Sequence, residues 1–313
     1  SYRQAKPIVY TVFPYLSMIF NVTHITKYEY NAPVSYCHNI ATLRPRESKG
    51  QELLDYTIQI TPEPTEISER IDFFGNYITR FSIQTEHKIL KVTTRSKIKR
   101  DYAKFQESFK SPACKNITMN NALLALQGMD PEVLEAKQYI LESIFIRRTD
   151  KDIREYAELS FKGNRSVFDA AYELMQRIYT DFDFDSEFST ISTPIEEVMK
   201  EKKGVCQDFA QIAIACIRSV GLPARYISGY IETLPPPGKV KLVGADASHA
   251  WFAIFIPGFG WVDFDPTNNI IPKDQHIVVG WGRDYYDVPP LKGVVYGSGQ
   301  SKLKVSVDIA AVE

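Results

Sequence analysis

Nine of the twelve residues from Phe209 to Val220 are apolar. Phe209, Ile212, Ala213, Ala215, Cys216 and Ile217 distribute apolar side chains around nearly every side of one helical segment, so the segment has to lie inside a domain rather than on its surface. Gly221 and Pro223 stop it. A buried helix needs layers around it, and the flanking sequence supplies them. Downstream, Arg225 to Ile231, Ala250 to Ile256 and Trp261 to Phe264 read as strands, the last two joined through Pro257-Gly258-Phe259-Gly260 as a hairpin. Upstream, Asp130-Pro131 opens a helical stretch with Val133, Ala136, Tyr139, Ile140 and Ile144 on one face, and helical reading continues to about residue 180. Ser166 caps a segment whose stripe of Phe168, Ala171, Leu174, Met175 and Ile178 is core-facing. A further helix over 194–203 begins at Thr193-Pro194 and ends at Gly204, which delivers the chain through a turn to Cys206.

Before residue 100 the period is two. Val22 to Tyr30, Tyr56 to Ile60, Tyr77 to Ile83 and Ile89 to Thr94 alternate, with Asn-Ala-Pro, Pro-Glu-Pro and Gly-Asn breaks between them, which predicts a β-sandwich or small barrel. His24 and Cys37 stand alone among these strands and read as packing residues. Near the end, Ile277 to Gly280 and Lys302 to Ala310 read as strands separated by a link containing Pro289-Pro290, Gly293, Gly297 and Gly299. The expected fold class is α+β: an amino-terminal β-sandwich, then a helix packed on an antiparallel sheet. With 313 residues the chain can hold two cores. The expected divisions are a β-rich domain over 18–100, a helical connection over 101–160, and a catalytic core with carboxy-terminal strands over 161–313. Residues 1–17 are read as an extension: Arg3, Lys6 and the apolar run from Ile8 to Phe20 imitate a signal peptide, yet no small-residue cleavage site follows, and Met18 is a plausible native start. A cytoplasmic location is the expectation.

The balance of 37 basic and 38 acidic side chains gives a formal net charge of −1, so nothing global attracts nucleic acid or a membrane surface, and neither is expected as a partner. Four cysteines, Cys37, Cys114, Cys206 and Cys216, are too few for a disulfide framework and lack the spacing of zinc or redox pairs. No metal or other cofactor is expected.

Cys206 opens the buried helix, and Ser248-His249-Ala250-Trp251 and Asp263-Phe264-Asp265-Pro266-Thr267 follow it in order. Thiol, imidazole and carboxylate are what an amide-attacking cysteine enzyme needs. The thiolate is the nucleophile, and a helix start and a protonated imidazole both favour it. The second ring nitrogen of His249, taken as the sole histidine of the sheet, needs an acceptor to fix its tautomer. Asp263 and Asp265 share a strand face, but Asp265 lies further from the hairpin turn and so closer to His249; a turn-forming role is the rival reading for Asp265. Gln207 and Asp208 are candidates for lining the cleft or for satisfying the helix start. Trp251, two residues after His249, shares its face and is a candidate for packing on the imidazole or for substrate contact. Cys216, mid-helix, is the expected inert thiol.

Gly204-Val205-Cys206-Gln207-Asp208-Phe209-Ala210, Gly221-Leu222-Pro223-Ala224-Arg225-Tyr226, Ser248-His249-Ala250-Trp251 and Gly260 to Thr267 resemble the core of the bacterial transglutaminase-like superfamily. Val22 to Tyr30, Pro33-Val34-Ser35 and Leu43-Arg44-Pro45-Arg46 are similar to the β-rich region that precedes this core in bacterial members, and the Gly282 to Pro290 tail also fits. The resemblance implies a papain-like core with Cys206 as nucleophile, His249 as base and Asp265 as orienting acid. It also implies a cysteine protease or amidase acting on a protein or peptide. Transamidation to an amine and a non-catalytic binding module are the alternatives. Calcium dependence is not implied, because no EF-hand-like acidic loop is present.

Overall fold

The computed structural model describes residues 17–101, 107–147, 151–233, 247–297 and 299–312. Most of the extension read at 1–17 lies outside them. In the amino-terminal part, β1 (Met18–Ala41), β2 (Gln51–Thr61), β3 (Glu66–Ile71), β4 (Tyr77–Ile83) and β5 (His87–Arg100) form one antiparallel sheet. Its organiser is β1, 24 residues long. Residues 18–29 of β1 pair with β5 on one side, and residues 37–41 pair with β4. The ladder slips between Glu29 and Val34. A single core of Val34, Cys37, Ile60, Phe81, Ile83, Leu90 and Val92 draws on both halves. The layers expected of a sandwich are thus two parts of one sheet, curled upon itself and continuous through β1.

Helices follow: α1 (Pro112–Asn116), α2 (Met119–Ala125), α3 (Pro131–Lys137), α4 (Lys151–Ser160) and α5 (Val167–Asp181). Ser166 caps α5, accepting from Asp169 N–H at 3.4 Å. The strand β6 (Asp183–Phe184) precedes α6 (Ile195–Glu201), which closes at Lys202 in the left-handed region. β7 (Lys203–Gly204) pairs in parallel with β6 and leads into α7 (Cys206–Ser219). From Asp208 to Arg218 every residue of α7 is buried, and its polar members Asp208, Gln211 and Arg218 each have hydrogen-bond partners.

One face of the second sheet packs on α7. Its strands are β8 (Ala224–Ile231), β9 (Ala247–Ile256), β10 (Gly260–Phe264) and β11 (His276–Gly282), in the order β10-β9-β8-β11. Ala224, Tyr226, Ala250, Phe252 and Ile254 share the core of α7; the alternate residues Ile227, Trp251 and Ala253 form a separate cluster on the other face.

The chain then returns to the amino-terminal sheet. β12 (Leu291–Gly297) pairs with residues 34–41 of β1, and β13 (Ser301–Val312) pairs with residues 19–30. This corrects two expectations: the carboxy-terminal strands complete the amino-terminal domain and not the 161–313 core, and the stretch read as a Gly/Pro-rich link is a strand. Gly293 misleads because it is needed for proximity. A Cβ there would stand 2.1 Å from Asn39 Oδ1.

The two sheets are joined by a shared core of Phe20, Val22, Ile98, Tyr230, Ile277, Val279, Val307 and Ile309 and by two buried amides. Gln51 accepts from Val278 N–H at 2.9 Å and donates to Val278 C=O at 2.7 Å. Asn76 does the same to Trp281, at 3.0 and 2.8 Å. Two side chains thereby act as the missing neighbour of the edge strand β11. Among the described residues no helix is long and apolar enough to cross a membrane.

Candidate active site

Cys206 is the first residue of α7, where the unpaired N–H groups and the positive end of the helix dipole lie. The approach to it is held by Asp208, 2 % exposed, whose Oδ2 accepts from Val205 N–H at 2.8 Å and from the Ser189 hydroxyl at 2.5 Å. Burial is the larger influence on this carboxyl and raises it, against those two bonds. Asp208 therefore serves the helix start rather than the cleft. Gly204 makes room for it, since a Cβ there would lie 2.7 Å from Asp208 Oδ2. Gln207 is partly exposed beside Cys206.

His249, near the start of β9, is 7 % exposed and directs Nε2 at Asp265 Oδ2, 2.8 Å away. The Cys206 side chain is near enough to favour the charged form of the imidazole. With Nε2 committed to the carboxylate, Nδ1 is the nitrogen left for sulfur. The sulfur is half-buried, whereas Cys37, Cys114 and Cys216 are fully buried. Burial pushes the Cys216 thiol up to about 12, and its sulfur donates to the Ile153 carbonyl at 3.7 Å.

Asp265 lies one residue beyond β10, in a bridge with Ile270, and is 0 % exposed. Its Oδ1 accepts from Thr267 N–H at 3.0 Å and Asn268 N–H at 3.2 Å. Its Oδ2 accepts from His249, from Asn268 Nδ2 at 2.8 Å and from His276 Nε2 at 2.9 Å. The two readings of Asp265 were not exclusive: one oxygen makes the turn and the other orients the imidazole. Asp263 is engaged elsewhere, accepting from Trp251 Nε1 at 2.9 Å.

His276 was missed in the sequence. It belongs to β11, which returns to the opposite edge of the sheet after the loop that follows β10, so His249 is not the sheet's sole histidine. Nothing in the linear spacing announces it; only the β8–β11 pairing does. Trp251, 0 % exposed, packs against both histidines, its ring 5.9 Å from His249 and 5.2 Å from His276. It buttresses both imidazoles. Gly229 admits the indole: a Cβ there would meet Trp251 at 2.6 Å and Ile277 O at 2.1 Å.

The electrostatics separate the two histidines. Burial disfavours the charged form of each and is the largest influence on both. At His249 the charge and hydrogen bond of Asp265, with the nearby Cys206 side chain, outweigh it and raise the imidazole to about 10. At His276 burial prevails and lowers the ring, which donates Nε2–H to Asp265 as a neutral group. Burial also opposes ionisation of Asp265, but the two histidines overcome it and hold the carboxyl far below its ordinary range. His249, Asp265 and His276 present three ligand-type atoms within 4.8 Å of one another. Both ring nitrogens are hydrogen-bond donors to the same oxygen, and a metal would require those protons to leave.

A thiol, an imidazole and a buried carboxylate thus stand in series on a buried helix and an antiparallel sheet. The model of the bacterial transglutaminase-like N-terminal region matches residues 20–99, and that of the transglutaminase-like superfamily matches residues 154–266. An uncharacterized protein of Mycobacterium bovis is 38% identical over 94% of this chain and 93% of its own length. This chain belongs to the transglutaminase-like superfamily. The crystal structure of a candidate cysteine protease from Cytophaga hutchinsonii shares the fold. Its TM-score is 0.72 at 20% identity, over 95% of this chain and 92% of that one. A protein-glutamine gamma-glutamyltransferase of Pseudomonas aeruginosa is 34% identical over 23% of this chain and 11% of its own length.

Proposed function

We propose that this transglutaminase-like protein is a cysteine-dependent hydrolase of amide bonds in a peptide or protein. The reading is carried by one observation: the Asp265 carboxylate is saturated by five donors. It stays ionised and can only orient and stabilise the imidazolium of His249. His249 takes the Cys206 proton on Nδ1. The sulfur then attacks the substrate carbonyl carbon, and the developing oxyanion meets the Cys206 backbone N–H at the start of α7. His249 returns the proton to the leaving amine as the C–N bond breaks, giving a thioester on Cys206. Water, deprotonated by His249, hydrolyses that thioester and regenerates the thiol. The likeness to the candidate cysteine protease is to fold alone; the direction of proton flow comes from the site.

Turnover of a library of peptide amides, with and without an added primary amine, tests the proposal. Carboxylic acid product that depends on Cys206 and forms without amine is the expected result. Product that forms only with amine would replace hydrolysis by transamidation, and an unreactive Cys206 would reject both.

A further inference from the structure

The face of the second sheet turned away from α7 borders a cavity of about 340 Å³ where the two sheets and the helical connection meet. Arg225 lines it and is 8 % exposed. Its guanidinium lies between two indoles, with Cζ 3.7 Å from the centre of Trp281 and 4.3 Å from that of Trp261. Both flat faces are therefore covered, while its N–H edge has no hydrogen bond or ion pair among the described residues. Arg100, 5 % exposed, borders the same cavity; it reaches the Lys273 carbonyl at 3.2 Å, and its Nε is likewise unpartnered. Arginine does not shed its proton to escape such a position.

What satisfies these donors has to approach in the plane of the guanidinium, the geometry of a carboxylate met by a planar fork. Charge narrows the choice. The lining carries three cations, Lys49, Arg100 and Arg225, against three acids, Glu132, Glu135 and Asp263, so its formal charge is already balanced and a dianion is disfavoured; a single carboxylate is admitted only where it meets the open guanidinium edge. The remaining walls include Trp251, Phe255 and Phe259, which suit a flat apolar body, and the volume lies at the small end of ligand pockets. We infer that this cavity is a binding site for a small aromatic monocarboxylate, its carboxylate held by Arg225 with Arg100 beside it. Cys206, His249 and Asp265 do not line the cavity, although Trp251 and His276, which support them, do; the inference stands whether or not the chain hydrolyses amides.

The three tryptophans of the chain, Trp251, Trp261 and Trp281, all line this cavity, so intrinsic tryptophan emission reports on it directly. The full-length protein, with and without prior alkylation by iodoacetamide, is titrated with benzoate, with benzamide as neutral isostere and with phenyl phosphate as dianion. Benzoate should give a saturable change, unaffected by alkylation, with a Kd at least about tenfold below those of the other two, as loss of a charge-assisted pair implies. Arg225→Met should raise the benzoate Kd by at least about tenfold with cooperative thermal unfolding retained. The proposal is overturned by an absent response to benzoate, which leaves a cavity holding water only. Equal binding of benzamide, tighter binding of phenyl phosphate, or loss of the response on alkylation would also overturn it. Should Arg225→Met not fold, the benzoate and benzamide comparison on the native chain decides by itself.

Discussion

Cys206 and Cys216 are ten residues apart on one helix and differ in all that governs reactivity: one half-exposed at the amino terminus beside an imidazole, the other sealed in the core. Iodoacetamide at pH 6 should modify Cys206 rapidly, leave Cys216 unmodified, and lose its fast phase in Cys206→Ala; peptide mapping by mass spectrometry reads both. Turnover should fall roughly 10⁴-fold or more in Cys206→Ala and stay near the native value in a folded Cys216→Ala. Asp265→Asn should cut kcat by about 10²- to 10⁴-fold. Its effect on stability has a definite pH signature. The lowered Asp265 carboxyl contributes fully above its unfolded value of ~3.9 and loses that contribution as pH falls through the lower folded value. The raised His249 contributes fully below its unfolded value of ~6.5 and loses that contribution as pH rises through about 10. The gap in urea-unfolding free energy between native and Asp265→Asn protein should therefore be widest between about pH 4 and 6.5 and narrow on going to pH 10. A gap that widened with alkali would refute the assignment of charges.

At the level of elements, the tightest dependence is that of β9 on β8. Gly229 faces His249 across the ladder and gives the Trp251 ring its space. Gly229→Ala should destabilise by about 1–3 kcal/mol through overpacking, read as a lower urea midpoint. It should also reduce turnover by disturbing the indole that supports His249. The elements of this core were legible because their signals are local. The glycine and proline stops around α7, the hairpin at Pro257 to Gly260 and the cap at Ser166 each act within a few residues. The pairing of His249 with Asp265 was legible for the same reason, following from distance along one hairpin. What was hidden depends on contacts remote in sequence. His276 joins the site only because β11 pairs with β8, Ser189 reaches Asp208 from outside the helix, and β12 is a strand because it pairs with β1. Single-sequence periodicity carries no record of such encounters.

Across the whole molecule, the amides of Gln51 and Asn76 fasten the amino-terminal sheet to the edge of the second one. Replacing either by alanine strands a buried backbone donor and acceptor on β11 and should cost about 1–3 kcal/mol. The double variant should show the two sheets unfolding in separate steps, seen as non-coincident fluorescence and far-ultraviolet circular dichroism transitions; a single sharp transition would show that the shared apolar core suffices. The role of β1 reaches further. Its neighbours β12 and β13 lie far downstream, from Leu291 onward, so the sheet begun at β1 waits for the whole intervening core to be synthesised. While a ribosome has yet to deliver those strands, one margin of β1 has nothing to zip to and offers bare amide and carbonyl groups to any passing extended segment. Only their emergence closes that margin, giving the nascent protein a vulnerable interval that the folded one never shows.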